Sequence, residues 1–499
     1  MRNLRLLAIC VSGALGVVGL LSVPASAQAP GGVASANEKI NPPVSNCNTI
    51  PDTDRSKTPA VATPITRDLL ISGQPCQQNV STTGLVTSGP GPGMANLQRG
   101  FDFYSWLTFI AMNSPADGKV IGQGPRPGGD ATTKWEVLQN YRPLADVMLS
   151  NGEKPVWGTS NMPERCKPLD GQGKIVFQIG EEAFNQPFKT GPLIDQDGNY
   201  ALFDILMNQP MFDFIVDKGL YSRQGQRQVD EDIQFPSGNS PGKDKDGKDI
   251  QGHMGAIMLK VAYRILDPVK NANLLSQFHT SDALIYFPGP PATKTGPACV
   301  EKKLGLVGFH VGHKTKSAPQ WVWTSFEHVS NAPDAADVAS GNLLPRYNFF
   351  SAACKANCPV KNDTPPQPPL WDPDESLKFK GEYRSQVVRE KMIPGFVLKE
   401  VADLNTPFRA LLKGTVWENY MLLATQWPSD NGSHTDPLGA PAPTYLANTT
   451  LETYSQGKIP LASSSCMECH GNATTHHVPA TPSDFTFILE KAQEAKKAQ

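Results

Sequence analysis

Proline stands at 45 of the 499 positions and glycine at 43, and this punctuation limits the chain to short elements joined by many turns. Proline inside a helix removes a backbone donor and clashes with the preceding turn, so breakers this frequent exclude a helical bundle or coiled coil. The apolar share of 39% and charged share of 18% are those of a chain that can bury a core. Acidic and basic side chains nearly cancel, to a formal charge of −2. Nucleic-acid binding calls for a basic excess and membrane-surface binding for a basic face, and the sequence has neither.

Residues 1–27 have the make-up of an export signal. Arg2 and Arg5 precede an apolar stretch from Leu6 to Leu21, and Ala25-Ser26-Ala27 is a small-residue cleavage site. Cleavage after Ala27 is expected to leave a periplasmic or secreted chain with no stable membrane anchor. Cys10 lies inside the signal, and Cys466 and Cys469 belong to a motif taken up below. In an oxidising compartment the other six cysteines (Cys47, Cys76, Cys166, Cys299, Cys354 and Cys358) are expected to be structural disulfides. Their pairing is not readable from sequence.

Residues 28–96 lack periodicity and are rich in turn formers, including Gly89-Pro90-Gly91-Pro92-Gly93, so an extended surface arm is expected there. Apolar residues at helical intervals predict helices over 97–112 and 397–412, a mostly helical stretch over 200–216, and a helical stretch over 135–149 interrupted at Pro143. Strands are predicted over 174–179, 256–266, 304–313, 320–328 and 420–427. Lys243 to Asp249 carries only part of a calcium-loop pattern and is expected to be a solvated turn. Helices and strands do not alternate regularly. The expected fold is therefore α+β, an antiparallel or mixed sheet with packed helices and many loops. The body spans 97–440, followed by a helical C-terminal segment over 441–499 whose last helix runs from Ser483 to Lys497.

Cys466-Met467-Glu468-Cys469-His470 is a C-x-x-C-H sequence, the pattern of covalent haem attachment. Two cysteines three apart lie on one turn of backbone, so both sulfurs can reach the vinyl groups along one porphyrin edge. The next residue then turns its imidazole toward the iron. Attachment of this kind belongs outside the bacterial cytoplasm, in agreement with the export signal. On this pentapeptide, the following Gly471 and the expected closing helix, the chain resembles the c-type cytochromes. The resemblance implies one covalent haem c, held by Cys466 and Cys469 and ligated by His470. It also departs from that family: only 29 residues follow His470, and none is Met. So short a tail cannot enclose a porphyrin, since roughly 70 residues are needed for even a modest core. The body is expected to supply the other wall.

For the distal side of the iron, the densest histidine region offers His310 and His313, with Trp321, Trp323 and His328 in the next strand. Alternation puts His310 on one face with Leu306 and Gly308, and His313 on the other with Phe309 and Val311. Gly308 and Gly312 leave room where a flat group could approach. Met112, Met254, Met258 and Met421 are further axial options. No G-x-S-x-G elbow, phosphate loop or H-E-x-x-H is present.

The expectation is an exported monohaem electron-transfer protein whose partner is a redox protein or a small-molecule substrate, with no nucleic acid. The alternatives are a haem-dependent peroxidase or oxygenase acting at an open iron, and a haem sensor without turnover. Whether the chain is an enzyme is left open, and its catalytic residues are not identified.

Overall fold

The computed structural model describes residues 92–113, 137, 141–170, 174–178, 186–187, 190–239, 242–243, 245–250, 252–287, 297–316, 318–355, 357–365, 383–390, 395–428, 441–455 and 465–495. The expected signal, most of the expected arm, and Cys47 and Cys76 lie outside these residues. The arm's last residues do not belong to it. Helix α1 spans Pro92–Met112, opening on the proline that the sequence pattern assigns to a turn. Proline is tolerated in a helix's first turn, where its missing N–H has no intrahelical partner to lose.

A nine-stranded sheet forms the centre. Its strands are β1 (Arg142–Pro143), β2 (Ile175–Gln178), β3 (Leu202–Met207), β4 (Ile257–Leu266), β5 (Thr280–Phe287), β6 (Ala298–Thr315), β7 (Ala318–His328), β8 (Tyr420–Pro428) and β9 (Pro441–Ala442). The antiparallel order is β1-β3-β4-β6-β7-β8-β9. One edge of the long β6 pairs with β4, while the other is shared by β5 at its start and β7 at its end. Only β2 against β5 is parallel, so the sheet is mixed and the α+β class holds.

Alternation along these strands divides two cores. On one face Leu259, Val261, Phe309, Val311, Val322, Phe326 and Leu422 pack under α1 and α3 (Gly395–Leu411). There the ring of Phe109 stacks on Phe326 at 4.1 Å and Trp106 on Phe408 at 5.0 Å. On the other face Met207, Met258, Trp321 and Trp323 share a cluster with Met467, Phe485, Ile488 and Leu489 from the C-terminal segment. That segment is thus built into the body. Helix α2 (Gln209–Asp217) packs in the same cluster through Met211, Phe212 and Ile215.

Four further expectations need correction. Residues 200–216 are half strand: β3 pairs through Met207, Asn208 caps the helix by accepting from Met211 N, and only then does α2 begin, with Pro210 in its first turn. The stretch 141–149 forms β1 and a 3-10 turn rather than a helix, because Pro143 pairs with Leu206 and lacks a donor to continue a helix. The expected helix from Ser483 is absent through residue 495, except for a 3-10 turn at Leu489–Lys491. There Asp484 and Phe485 take φ of 53° and 63°, which no right-handed helix accommodates. Finally, Leu306 does not share a face with His310. A bulge places Val307 between the pairs Tyr263–Leu306 and Ala262–Gly308, and Leu306 joins the α1 side.

Disulfides join Cys166 to Cys299 and Cys354 to Cys358, pairs that belong to an oxidising, exported setting. No helix among the described residues is long and apolar enough to cross a membrane. Lys243 and Asp249 form an exposed ion pair at 2.8 Å across a short hairpin, as a solvated turn requires.

Candidate functional site

Helix α4 is the single turn Cys466–His470. Ser465 caps it: its carbonyl accepts from Cys469 N at 3.0 Å and its hydroxyl faces Glu468 N at 3.4 Å. Met467 points into the core and is fully buried, which turns Cys466, Cys469 and His470 to the partly open side. Gln426, at the end of β8, fixes this rotation. Its Oε1 accepts from Met467 N at 2.8 Å, and its Nε2 donates to Pro443 O at 2.7 Å and Ser465 Oγ at 3.1 Å. Neither cysteine is in a disulfide. Burial, reinforced by the Glu452 carboxyl, pushes the Cys466 thiol up, so it is protonated at neutral pH.

His470 is held by its backbone-facing nitrogen. Nδ1 lies 2.8 Å from the Phe485 carbonyl, which can only accept, so Nδ1 carries the hydrogen and Nε2 keeps the lone pair. Burial lowers the imidazole pKa to about 4, against the pull of Phe485 and with the help of Lys260, leaving it neutral. Aromatic rings flank it: Trp323 at 4.4 Å and Phe487 at 5.2 Å between centroids.

The two histidines taken as distal candidates separate. His310 lies on the α4 side of the sheet, beside its cross-strand neighbours Lys260 and Ser325. His313 lies on the opposite face, hydrogen-bonded to the Tyr104 phenol of α1 and stacked on it. Three steps along a strand reverse the face, so His313 is removed from the neighbourhood of His470. His310 Nε2 is 3.4 Å from Glu452 Oε2 and, although buried, makes no hydrogen bond. Burial, then the Lys260 ammonium and the neighbouring His470 ring, lowers its pKa to about 3. Glu452 accepts from Asn448 N at 3.0 Å, and burial raises its carboxyl to about 7. Lys260, His310 and Glu452 therefore form a polar patch facing the same region as Cys466 and His470.

The space at the two glycines is taken by protein. A Cβ at Gly308 would lie 2.3 Å from Thr450 Oγ1, and one at Gly312 would lie 3.0 Å from Met258 Cε. Of the methionines, Met112 and Met254 belong to the α1-side core, while Met258 packs near Trp323 and Met421 lies in a small cluster with Cys466. His476 donates to the Glu490 carbonyl and His477 to the Pro479 carbonyl, at 3.0 and 2.9 Å. His328 stacks on Phe278 on the far face.

Sequence reasoning missed Gln426, Lys260, Glu452 and the Phe485 carbonyl. Lys260 alone left a signal, as a charge in the otherwise apolar run Ile257-Met258-Leu259-Lys260-Val261-Ala262. Glutamine, glutamate and a backbone oxygen carry none.

As a donor set, two thiols one helical turn apart and a neutral imidazole of fixed tautomer fit a covalently held iron porphyrin. Among the described residues no group of three or more His, Cys, Asp and Glu side chains converges on a point where a lone metal ion could sit. Comparison with family models, with curated proteins and with solved structures finds no match.

Proposed function

We propose that the chain is an exported monohaem c-type cytochrome that transfers electrons, its haem attached at Cys466 and Cys469 and ligated by His470. The observation that carries this reading is the His470 Nδ1 contact with the Phe485 carbonyl, which leaves Nε2 as a lone-pair donor on the same helical turn as both cysteines. A bound haem c would supply one-electron chemistry through its iron. The chain's own residues do the rest. Gln426 and Ser465 hold α4, and Trp323 and Phe487 shield the imidazole. The body cluster of Met258, Trp323 and Leu489 keeps water from the inner side. Export to the periplasm or beyond rests on the signal-like residues 1–27 and agrees with the two disulfides. The partner is a redox protein or a small-molecule substrate.

One observation favours a second reading, a haem-dependent peroxidase or oxygenase. His310 Nε2 makes no hydrogen bond, lies 3.4 Å from Glu452 Oε2 and stands beside Lys260, a cluster that could hold or move a proton near a bound haem.

The test is the exported chain matured in a host that attaches haem. Denaturing gels stained for haem, with intact mass, should give one covalent porphyrin, abolished by Cys466→Ala together with Cys469→Ala. A wild-type chain without added porphyrin mass overturns both readings. Spectra then divide them: a six-coordinate iron indifferent to carbon monoxide and peroxide supports the carrier, and a reactive, open iron supports the enzyme.

A further inference from the structure

We infer that Asp484 is a positioning residue for His470, with Lys314 as its anchor, an inference that deepens the haem reading and rests on it for its redox half. Asp484 and Phe485 adopt φ of 53° and 63° in succession, a left-handed conformation that side-chain-bearing residues rarely take singly and more rarely in pairs. Something must hold it. The Asp484 carboxylate is fully buried and ion-paired with Lys314 Nζ, itself 2% exposed. The same carboxylate oxygen accepts from Phe235 N at 2.7 Å.

Lys314 is immobile in its turn. Its N–H donates to Ala256 O at 2.9 Å, and a Cβ at Gly255 would lie 2.1 Å from its carbonyl oxygen, so the two backbones meet closely because that residue is glycine. On the far side Phe485 buries its ring in the cluster of Met467 and Ile488. The left-handed turn between these fixed points aims the Phe485 carbonyl at His470 Nδ1. A chain of contacts thus runs from the end of β6 through Lys314, Asp484 and Phe485 to the imidazole. It specifies the ring's tautomer and plane, and a well-aligned acceptor on Nδ1–H makes Nε2 a stronger donor. The Asp484 carboxylate is spent on Lys314 and Phe235, and the contact with the imidazole is made by Phe485, so Asp484 acts through Phe485.

The test uses the full exported chain with Asp484→Asn, which keeps shape and an acceptor oxygen, and with Lys314→Gln as a second variant. The first readout needs no haem. In the Cys466→Ala/Cys469→Ala background, nitrogen NMR of the His470 ring should report hydrogen on Nδ1, and either variant should convert this to a mixture of tautomers. The second readout is the reduction potential of the haem-loaded chain, which should rise in both variants as the Nδ1–H acceptor loses alignment. Circular dichroism establishes that each variant is folded; should Asp484→Asn not fold, Lys314→Gln decides. Unchanged tautomer and unchanged potential in a folded variant overturn the inference. Failure of the wild type to take up haem sinks the haem reading instead, and the tautomer measurement still decides the role of Asp484.

Discussion

Gln426 Oε1 accepts the backbone N–H of Met467 at 2.8 Å, so one side chain at the end of β8 sets the rotation of the turn that carries both thiols. The Gln426 amide is fully buried and uses both ends, giving its hydrogens to Pro443 O and Ser465 Oγ. Gln426→Leu strands an N–H and a carbonyl away from water. The expected cost is about 1–3 kcal/mol of unfolding free energy, read from urea denaturation. A variant as stable as wild type would show that water replaces the glutamine, and the clamp would be discarded.

The two disulfides differ in what they close. Cys166 and Cys299 are separated by 133 residues, Cys354 and Cys358 by 4. On the chain-entropy account the long loop contributes about 5 kcal/mol and the short one about 2 kcal/mol. Cys166→Ser/Cys299→Ser should therefore lower stability more than Cys354→Ser/Cys358→Ser under oxidising conditions. The reverse order in denaturant titrations would refute the assignment.

Glu327 and Arg389 form a buried ion pair behind β7, and Glu327 also accepts from Thr449 Oγ1 at 2.6 Å. Arg389→Met leaves the carboxylate short of its counter-charge and should cost about 3–5 kcal/mol. Adding Glu327→Gln should restore part of this loss. A double variant less stable than Arg389→Met alone would mean that the charge is solvated from elsewhere.

Asp146 is buried and accepts from Asn161 N at 2.7 Å. Burial raises its carboxyl from 3.8 to about 6, with Asn161 and Arg142 pulling the other way. Across that window the folded chain keeps a proton that the unfolded chain has released, so this group makes stability fall as pH rises from 3.8 to about 6. Asp146→Asn should remove that slope in thermal unfolding followed across the same range. Buried His313 and His328, lowered to about 3 and about 4, act in the opposite sense, because the unfolded chain takes up protons below 6.5. The difference between wild type and Asp146→Asn isolates the carboxyl. An unchanged slope would assign it to another group.

The strands at the centre were legible because their apolar runs are long and uninterrupted. Ile257–Leu266 and Ala318–His328 lie within two residues of the spans that periodicity predicts. Thr280–Phe287 was not foreseen, although Pro288-Gly289-Pro290-Pro291 closes its apolar run, and its place comes from pairing with the first half of β6. The tail failed for another reason. Phe485, Ile488, Leu489 and Ala492 read as a helical stripe, yet the buried Asp484 carboxylate fixes the chain to Lys314 and Phe235, and long-range pairing overrides local spacing. The motif at Cys466 was legible because the covalent attachment proposed for it demands residue types at fixed intervals. Its supports were not, since Gln426 and the Phe485 carbonyl reach it only through the fold.

The cluster that joins Met207, Met258 and Trp323 to Phe485 and Leu489 has an implication for biogenesis. Phe485 and Leu489, made well after Met207 and Met258, complete a hydrophobic layer begun near the middle of the chain. Until it docks, the indole of Trp323 and the thioether of Met258 stay wet, and the layer cannot close. The same delay leaves Cys466 and Cys469 on an undocked segment, where the attachment proposed for them would find its widest access before the polypeptide seals behind them.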